Sequence, residues 1–192
     1  MGSVVTTTMT FEEFERLPDG PEELELLEGE LVTMPPPERS HMEETELLYK
    51  RLDAAVDLRR NEGEALGKVH MEMGYLLTSA PRSWLRPDVS LTQPNQPGGK
   101  HYEGAPLMAF ETVSAEDRAT DLMHKVRLFL RYGAQEVWLI YPVSRDAYTY
   151  KPGVAAAMHE EQAIHSDLLR GIRIPFDQFL RREPPTPAPS SA

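Results

Sequence analysis

Hydrophobic spacing along the chain alternates between a repeat of two and a repeat near 3.6, the signatures of strands and helices. "MTFEEFERLP" reads as a short amphipathic helix ended by its proline, and "LELLEGELVTM" as two short strands meeting at Glu28 and Gly29. In "HMEETELLYKRLDAAVDLRRNEG" the residues Leu47, Leu48, Leu52, Ala55, Val56 and Leu58 fall mostly on one stripe, a long helix with Gly63 as its stop. Met71, Met73, Tyr75 and Leu77 alternate with His70, Glu72 and Gly74, predicting one half-buried strand across "VHMEMGYLLTS" and making those methionines core residues. "RPDVSLTQ" and "APLMAFETV" read as strands on either side of the turn-rich "PNQPGGKHYEG". A second long helix is expected from about Glu116 to Tyr132, before Gly133, and "EVWLIYP", "AYTYK" and "GIRIPFDQFL" close the fold. Strands flanked by two long helices predict an α/β sandwich built on a mixed sheet.

With 192 residues, the chain fits one domain over residues 1–183, followed by a Pro- and Ser-rich tail, 184–192, expected to be disordered. There is no cysteine, which removes disulfides and thiolate metal sites. No apolar run approaches the roughly 20 residues of a membrane span, and the N-terminus lacks the pattern of a secretion signal, so a cytoplasmic location is expected. "MGSVVT" fits the short myristoylation pattern, which many chains match by chance. The formal net charge of -11 argues against a broad cationic surface for nucleic acid, leaving a local groove or bound cations as the means of contact.

Candidate chemistry centres on Glu111, which follows the apolar run of "PLMAFETVSAED". A carboxylate at the end of a buried strand needs a cation, a metal or a raised pKa. Asp88 begins the preceding strand after Pro87. Neighbouring strands lie about 4.8 Å apart, so a paired Asp88 and Glu111 converge on one cation. Magnesium suits such a site, since it takes one or two carboxylates and fills its remaining positions with water and phosphate oxygens. A lysine that positions the attacking water belongs two residues after Glu111, on the same face, but Val113 occupies that position. The next lysine is Lys125, on the second helix, where Asp117, Asp121 and Lys125 follow at steps of four and share a face.

"RPDV", a strand ending "FETVS" and the following "DRATDLMHK" resemble the PD-(D/E)XK nuclease superfamily, and more closely its Uma-type (Uma-two) bacterial restriction endonucleases, in which the lysine has moved from strand to helix. The likeness runs in order through "MTFEEF", "ELLEGELV", "RPDVSL", "RYGAQEVWLIYP" and "LLRGIRIPF". It implies a restriction-endonuclease-like fold with Asp88 and Glu111 as metal ligands and Lys125 as the relocated lysine. The family's strand ending continues as serine-proline, whereas Ser114 is followed here by Ala115. The family pattern also places a histidine at His41, at the start of the first long helix, where either a proton carrier or a helix-start polar residue fits.

Simpler accounts exist for each residue alone. Asp88 fits a polar strand start after proline. Glu111 fits a structural ion pair with Arg86 or Arg118. Lys125 fits an i,i+4 partner of Asp121. Glu25, alternating with leucines, fits either an extra carboxylate at the site or an exposed strand face. His70, His101, His124, His159 and His165 show no ligand spacing, and Trp84 and Trp138 read as packing residues. Taken together, Asp88, Glu111 and Lys125 suit a magnesium- or manganese-dependent endonuclease that cleaves a phosphodiester, with DNA as the expected partner and a homodimer as the expected assembly. The competing class is a catalytically silent nuclease-fold module that binds DNA or a protein partner.

Overall fold

The structure is a computed structural model that describes residues 8–18, 23–34, 36–77 and 82–181. The expected tail, 184–192, and the "MGSVVT" pattern lie outside these residues.

The chain opens with α1 (Phe11–Phe14), a single turn held by a reciprocal cap between Thr10 and Glu13. β1 (Glu23–Leu27) and β2 (Glu30–Met34) form a hairpin that turns at Glu28 and Gly29, both at positive φ, 48° and 89°. A two-residue loop of that kind matches the twist of the strands it joins. α2 (Arg39–Asn61) follows, then β3 (Val69–Met71), β4 (Tyr75–Leu76), β5 (Trp84–Leu85), β6 (Val89–Leu91), β7 (Tyr102–Glu103) and β8 (Met108–Thr112). α3 (Ala119–Arg131) crosses to β9 (Glu136–Tyr141), after which come β10 (Asp146–Tyr150), β11 (Met158–Glu160), β12 (Ala163–His165) and β13 (Arg173–Pro175).

Two larger sheets result. One has the order β2-β1-β5-β4-β7, the other β11-β10-β9-β8-β6-β3, and β12 pairs with β13 apart from both. Both larger sheets are mixed: β8 runs parallel to β9 and β4 parallel to β7. The β8-α3-β9 unit needs its helix because parallel neighbours cannot be joined by a tight turn.

Alternation along β8 divides the core into two halves. Met108 and Phe110 join Leu48, Leu52 and Val56 of α2 in one cluster, with Trp138 and Ile140 of β9. Ala109 faces the other way, into a cluster holding Leu122, Val126 and Phe129 of α3 together with Leu27, Tyr75 and Leu85 of the smaller sheet. Residues two apart share a face, so Glu111 stands on the side of Ala109, towards α3. That side lies between the two sheets.

Three expectations are corrected. "VHMEMGYLLTS" is not one strand. Glu72 adopts φ 47°, and β3 and β4 on either side of it belong to different sheets. Gly74 passes so close to Trp84 that a Cβ there would sit 2.5 Å from the indole ring, which explains the break in the alternation. The second helix begins at Ala119, leaving Asp117 in the turn before it, where its carboxylate accepts the Ser114 N–H at 2.7 Å. The segment read as turn-rich also contains β7.

Candidate metal and catalytic site

Extending the antiparallel register of β6 and β8 by one position sets Asp88 opposite Glu111, since Val89 pairs with Phe110. Residues opposite one another in such a pair project to the same face. The Thr112 N–H donates to Asp88 Oδ2 at 2.6 Å, so the backbone next to Glu111 fixes the aspartate. His41, in the first turn of α2, approaches from the other side with Nε2 3.3 Å from Asp88 Oδ1. That hydrogen bond holds His41 above its ordinary pKa, against the opposing effect of burial.

Lys125 comes from α3 and is only 5% exposed, although it is charged. It sits on the stripe formed by Leu122, Val126 and Phe129, the buried face of the helix, and so its ammonium is carried inward. Nζ lies 2.7 Å from Glu25 Oε2 and 3.6 Å from Glu111 Oε1. Burial works against the ammonium, but Glu111 and Glu25 outweigh it and keep the lysine protonated above its ordinary range. Glu25, on β1, is 2% exposed, and its Oε1 accepts the Arg86 N–H at 2.8 Å. The exposed-face account of Glu25 is thereby corrected: it shares a strand face with Leu27, and that face looks at α3. Nor does Lys125 serve as a simple surface partner of Asp121. Its ammonium goes to the two buried glutamates.

Asp88, Glu111, Lys125, Glu25 and His41 all line one cavity of about 600 Å³. Exposure grades across it: the side chains of His41 and Asp88 retain 20% and 18%, whereas those of Glu111, Lys125 and Glu25 retain 8%, 6% and 3%. Asp88 and His41 therefore stand at the mouth and the others at the floor. Val113, in the position where a strand lysine would stand, instead packs against the apolar cluster around α3.

Charge in the cavity is unbalanced. Asp88, Glu25 and Glu111 confront one buried ammonium, and burial drives the Glu111 carboxyl well above its ordinary pKa, with Lys125 opposing and Asp88 and Glu25 adding to the rise. Glu111 Oε1 and Glu25 Oε2 are buried and accept no well-formed hydrogen bond among the described residues, but Glu25 Oε2 has the ammonium 2.7 Å away and Glu111 Oε1 has it only at 3.6 Å. A buried acceptor in that state costs about 1–3 kcal/mol or more, unless a proton or a cation satisfies it. Among the described residues, no three His, Asp or Glu side chains cluster tightly enough to wrap an ion unaided. Two adjacent carboxylates, one with an unsatisfied oxygen, nevertheless fit magnesium, which keeps several waters and needs only one or two protein carboxylates. Asp88 and Glu111 are the residues that would hold it.

The signal for Lys125 as a buried residue was present in the sequence: a lysine interrupting an apolar helical stripe. Glu25 had no comparable signal, because both faces of β1 are covered and alternation alone exposes one of them.

The fold has a solved counterpart. The fold is similar to that of "a putative nuclease belonging to DUF820" from Anabaena variabilis, with a TM-score of 0.76 and 17% identity, covering 90% of this chain and 97% of that one. At that identity the likeness concerns the fold, a restriction-endonuclease-like α/β sandwich. No curated protein matches the chain in sequence. No helix among the described residues is long and apolar enough to cross a membrane. The family model described as "Putative restriction endonuclease" matches residues 11–177, nearly the full length, and the chain belongs to that family, Uma2.

Proposed function

We propose that the protein is a divalent-metal-dependent endonuclease acting on nucleic acid, with DNA as the expected substrate. The reading is carried by one observation: Asp88 and Glu111 stand side by side in a cavity, with the buried Lys125 ammonium next to them and one Glu111 oxygen unsatisfied. In this scheme Asp88 and Glu111 hold Mg²⁺ or Mn²⁺. When bound, the ion supplies stabilisation of charge on the phosphoryl group and a lowered pKa for a coordinated water.

The remaining work falls to the chain's own groups. A water oxygen attacks phosphorus in line and passes a proton to solvent in the cavity, while the bond to the leaving oxygen breaks and that oxygen takes up a proton. Lys125, fixed in its protonated form, orients the attacking water and steadies the charge that develops on the phosphate oxygens. The apolar stripe beneath it excludes bulk water, which strengthens that interaction. Asp88, fixed by the Thr112 N–H, keeps its ligand geometry without reorganisation. In the same scheme His41 at the mouth, whose pKa Asp88 raises, gives a proton to the departing oxygen.

Incubation of the protein with supercoiled and single-stranded DNA, in Mg²⁺, in Mn²⁺ and in chelator, tests the reading. Metal-dependent strand cleavage that disappears in Asp88→Asn is the expected result. Cleavage persisting at the wild-type rate in Asp88→Asn places the activity elsewhere, and its absence on every substrate favours the non-catalytic module.

A further inference from the structure

Lys125 is held asymmetrically. Its Nζ lies 2.7 Å from Glu25 Oε2 and 3.6 Å from Glu111 Oε1, and among the described residues neither buried oxygen is satisfied by a well-formed hydrogen bond. A free ammonium between two buried carboxylates has three N–H groups and every electrostatic reason to engage both. What restrains it is the other end of Glu25. Oε1 accepts the Arg86 N–H at 2.8 Å, which ties the carboxylate to the backbone two residues before Asp88. Glu25 is thus clamped between the smaller sheet and the segment entering β6, and the ammonium follows it.

We propose that Glu25 is a positioning residue that anchors the Lys125 ammonium away from Glu111 and so keeps the Asp88 and Glu111 carboxylates open to a divalent cation. The proposal rests on the reading of Asp88 and Glu111 as metal ligands. Without the Glu25 charge, the nearest anion to Nζ is Glu111, and a shift of less than about 1 Å closes a hydrogen bond of ordinary length. The ammonium then occupies the oxygen that the cation needs. It also neutralises the charge that attracts the cation. Glu25 thereby decides which of two cations, the fixed one or the exchangeable one, sits on Glu111.

Glu25→Gln is the informative change, because its side-chain oxygen still accepts the Arg86 N–H while the negative charge is gone. Mn²⁺ titration calorimetry on the wild type, Glu25→Gln, Lys125→Met and the double variant separates the possible roles. Glu25→Gln should weaken Mn²⁺ binding by about 10-fold or more, the size expected for losing a group behind a metal ligand. Lys125→Met should bind at least as tightly as wild type, and the double variant should return to the Lys125→Met value, since the competing ammonium is gone. A double variant as weak as Glu25→Gln makes Glu25 itself a ligand and overturns the proposal; so does a Glu25→Gln protein that binds Mn²⁺ like wild type. A metal-free crystal structure of Glu25→Gln gives a readout that needs no metal. Nζ within about 3 Å of Glu111 Oε1 is expected, and Nζ left in its present position contradicts the proposal. Failure of wild type to bind Mn²⁺ counts against the metal site itself, and the position of Lys125 in that crystal then decides the anchoring role alone.

Discussion

Asp88 accepts the backbone N–H of Thr112 at 2.6 Å, and Thr112 immediately follows Glu111. A charge-assisted bond of that length locks one candidate ligand to the strand that carries the other. The site therefore depends on the register of β6 against β8, and a slip of one residue would turn Asp88 to the opposite face.

Asp88→Asn follows directly. The amide oxygen still accepts the Thr112 N–H, so the fold is expected to survive, with a melting temperature close to wild type. The lost charge should reduce divalent-metal affinity by about 10-fold or more and suppress cleavage in parallel. Calorimetry and a plasmid-nicking assay on the same preparation check both effects, and loss of one without the other contradicts a shared role.

Lys125→Met should separate binding from rate. Metal binding survives, while cleavage falls, because the ammonium acts mainly on charge that develops in the transition state. The same change removes the counter-charge of Glu25 and Glu111. Breaking a buried pair in this way costs about 3–5 kcal/mol when the remaining partner stays charged. Glu111, already raised by burial, then loses the ammonium that opposes the rise, so its share of the cost is smallest in acid and grows as pH rises through the raised value. Urea denaturation of variant and wild type at two pH values, one acidic and one near 8, measures the difference.

The raised pKa of Glu111 links metal binding to protons. In the metal-free protein this carboxyl keeps its proton above the ordinary range, and a cation must displace it. Affinity for Mn²⁺ should rise with pH through that range and level off above it, with proton release visible as a buffer-dependent heat. Glu111→Gln should abolish both the pH dependence and most of the affinity.

His41 gives the opposite kind of linkage. Its folded pKa is raised above 6.5, chiefly by Asp88, with Asp117 and Glu72 adding to the effect. Its contribution to stability is therefore fully present below about 6.5 and is lost as pH rises through the folded value. In the metal-free protein, wild type should lose stability relative to His41→Asn across that interval. A pH series of thermal melts checks it, and parallel curves for the two proteins contradict it.

Much of this arrangement was legible before any coordinates. The β1-β2 hairpin was readable because Glu28-Gly29 interrupts two alternating apolar runs, and α2 and α3 because their stripes are long. Asp88 and Glu111 stood out through position, one at each facing end of two apolar strands. The break between β3 and β4 was not readable. It depends on a left-handed Glu72 and on the approach of Gly74 to Trp84, which comes from ten residues further along. The two-residue strands of the smaller sheet carry too few positions for a period to appear. Alternation along β1 leaves Glu25 between an extra site carboxylate and an exposed strand face, because its burial is set by α3, about 100 residues away in sequence, and not by its neighbours in β1.

The central claim is that Asp88 and Glu111 together hold a divalent cation, and anomalous diffraction from crystals soaked in Mn²⁺ tests it most directly. The account predicts one strong peak in the cavity, with a carboxylate oxygen of Asp88 and one of Glu111 each about 2.0–2.3 Å from it. A well-occupied peak away from both residues, or no peak at millimolar Mn²⁺ with the cavity open to solvent, contradicts it.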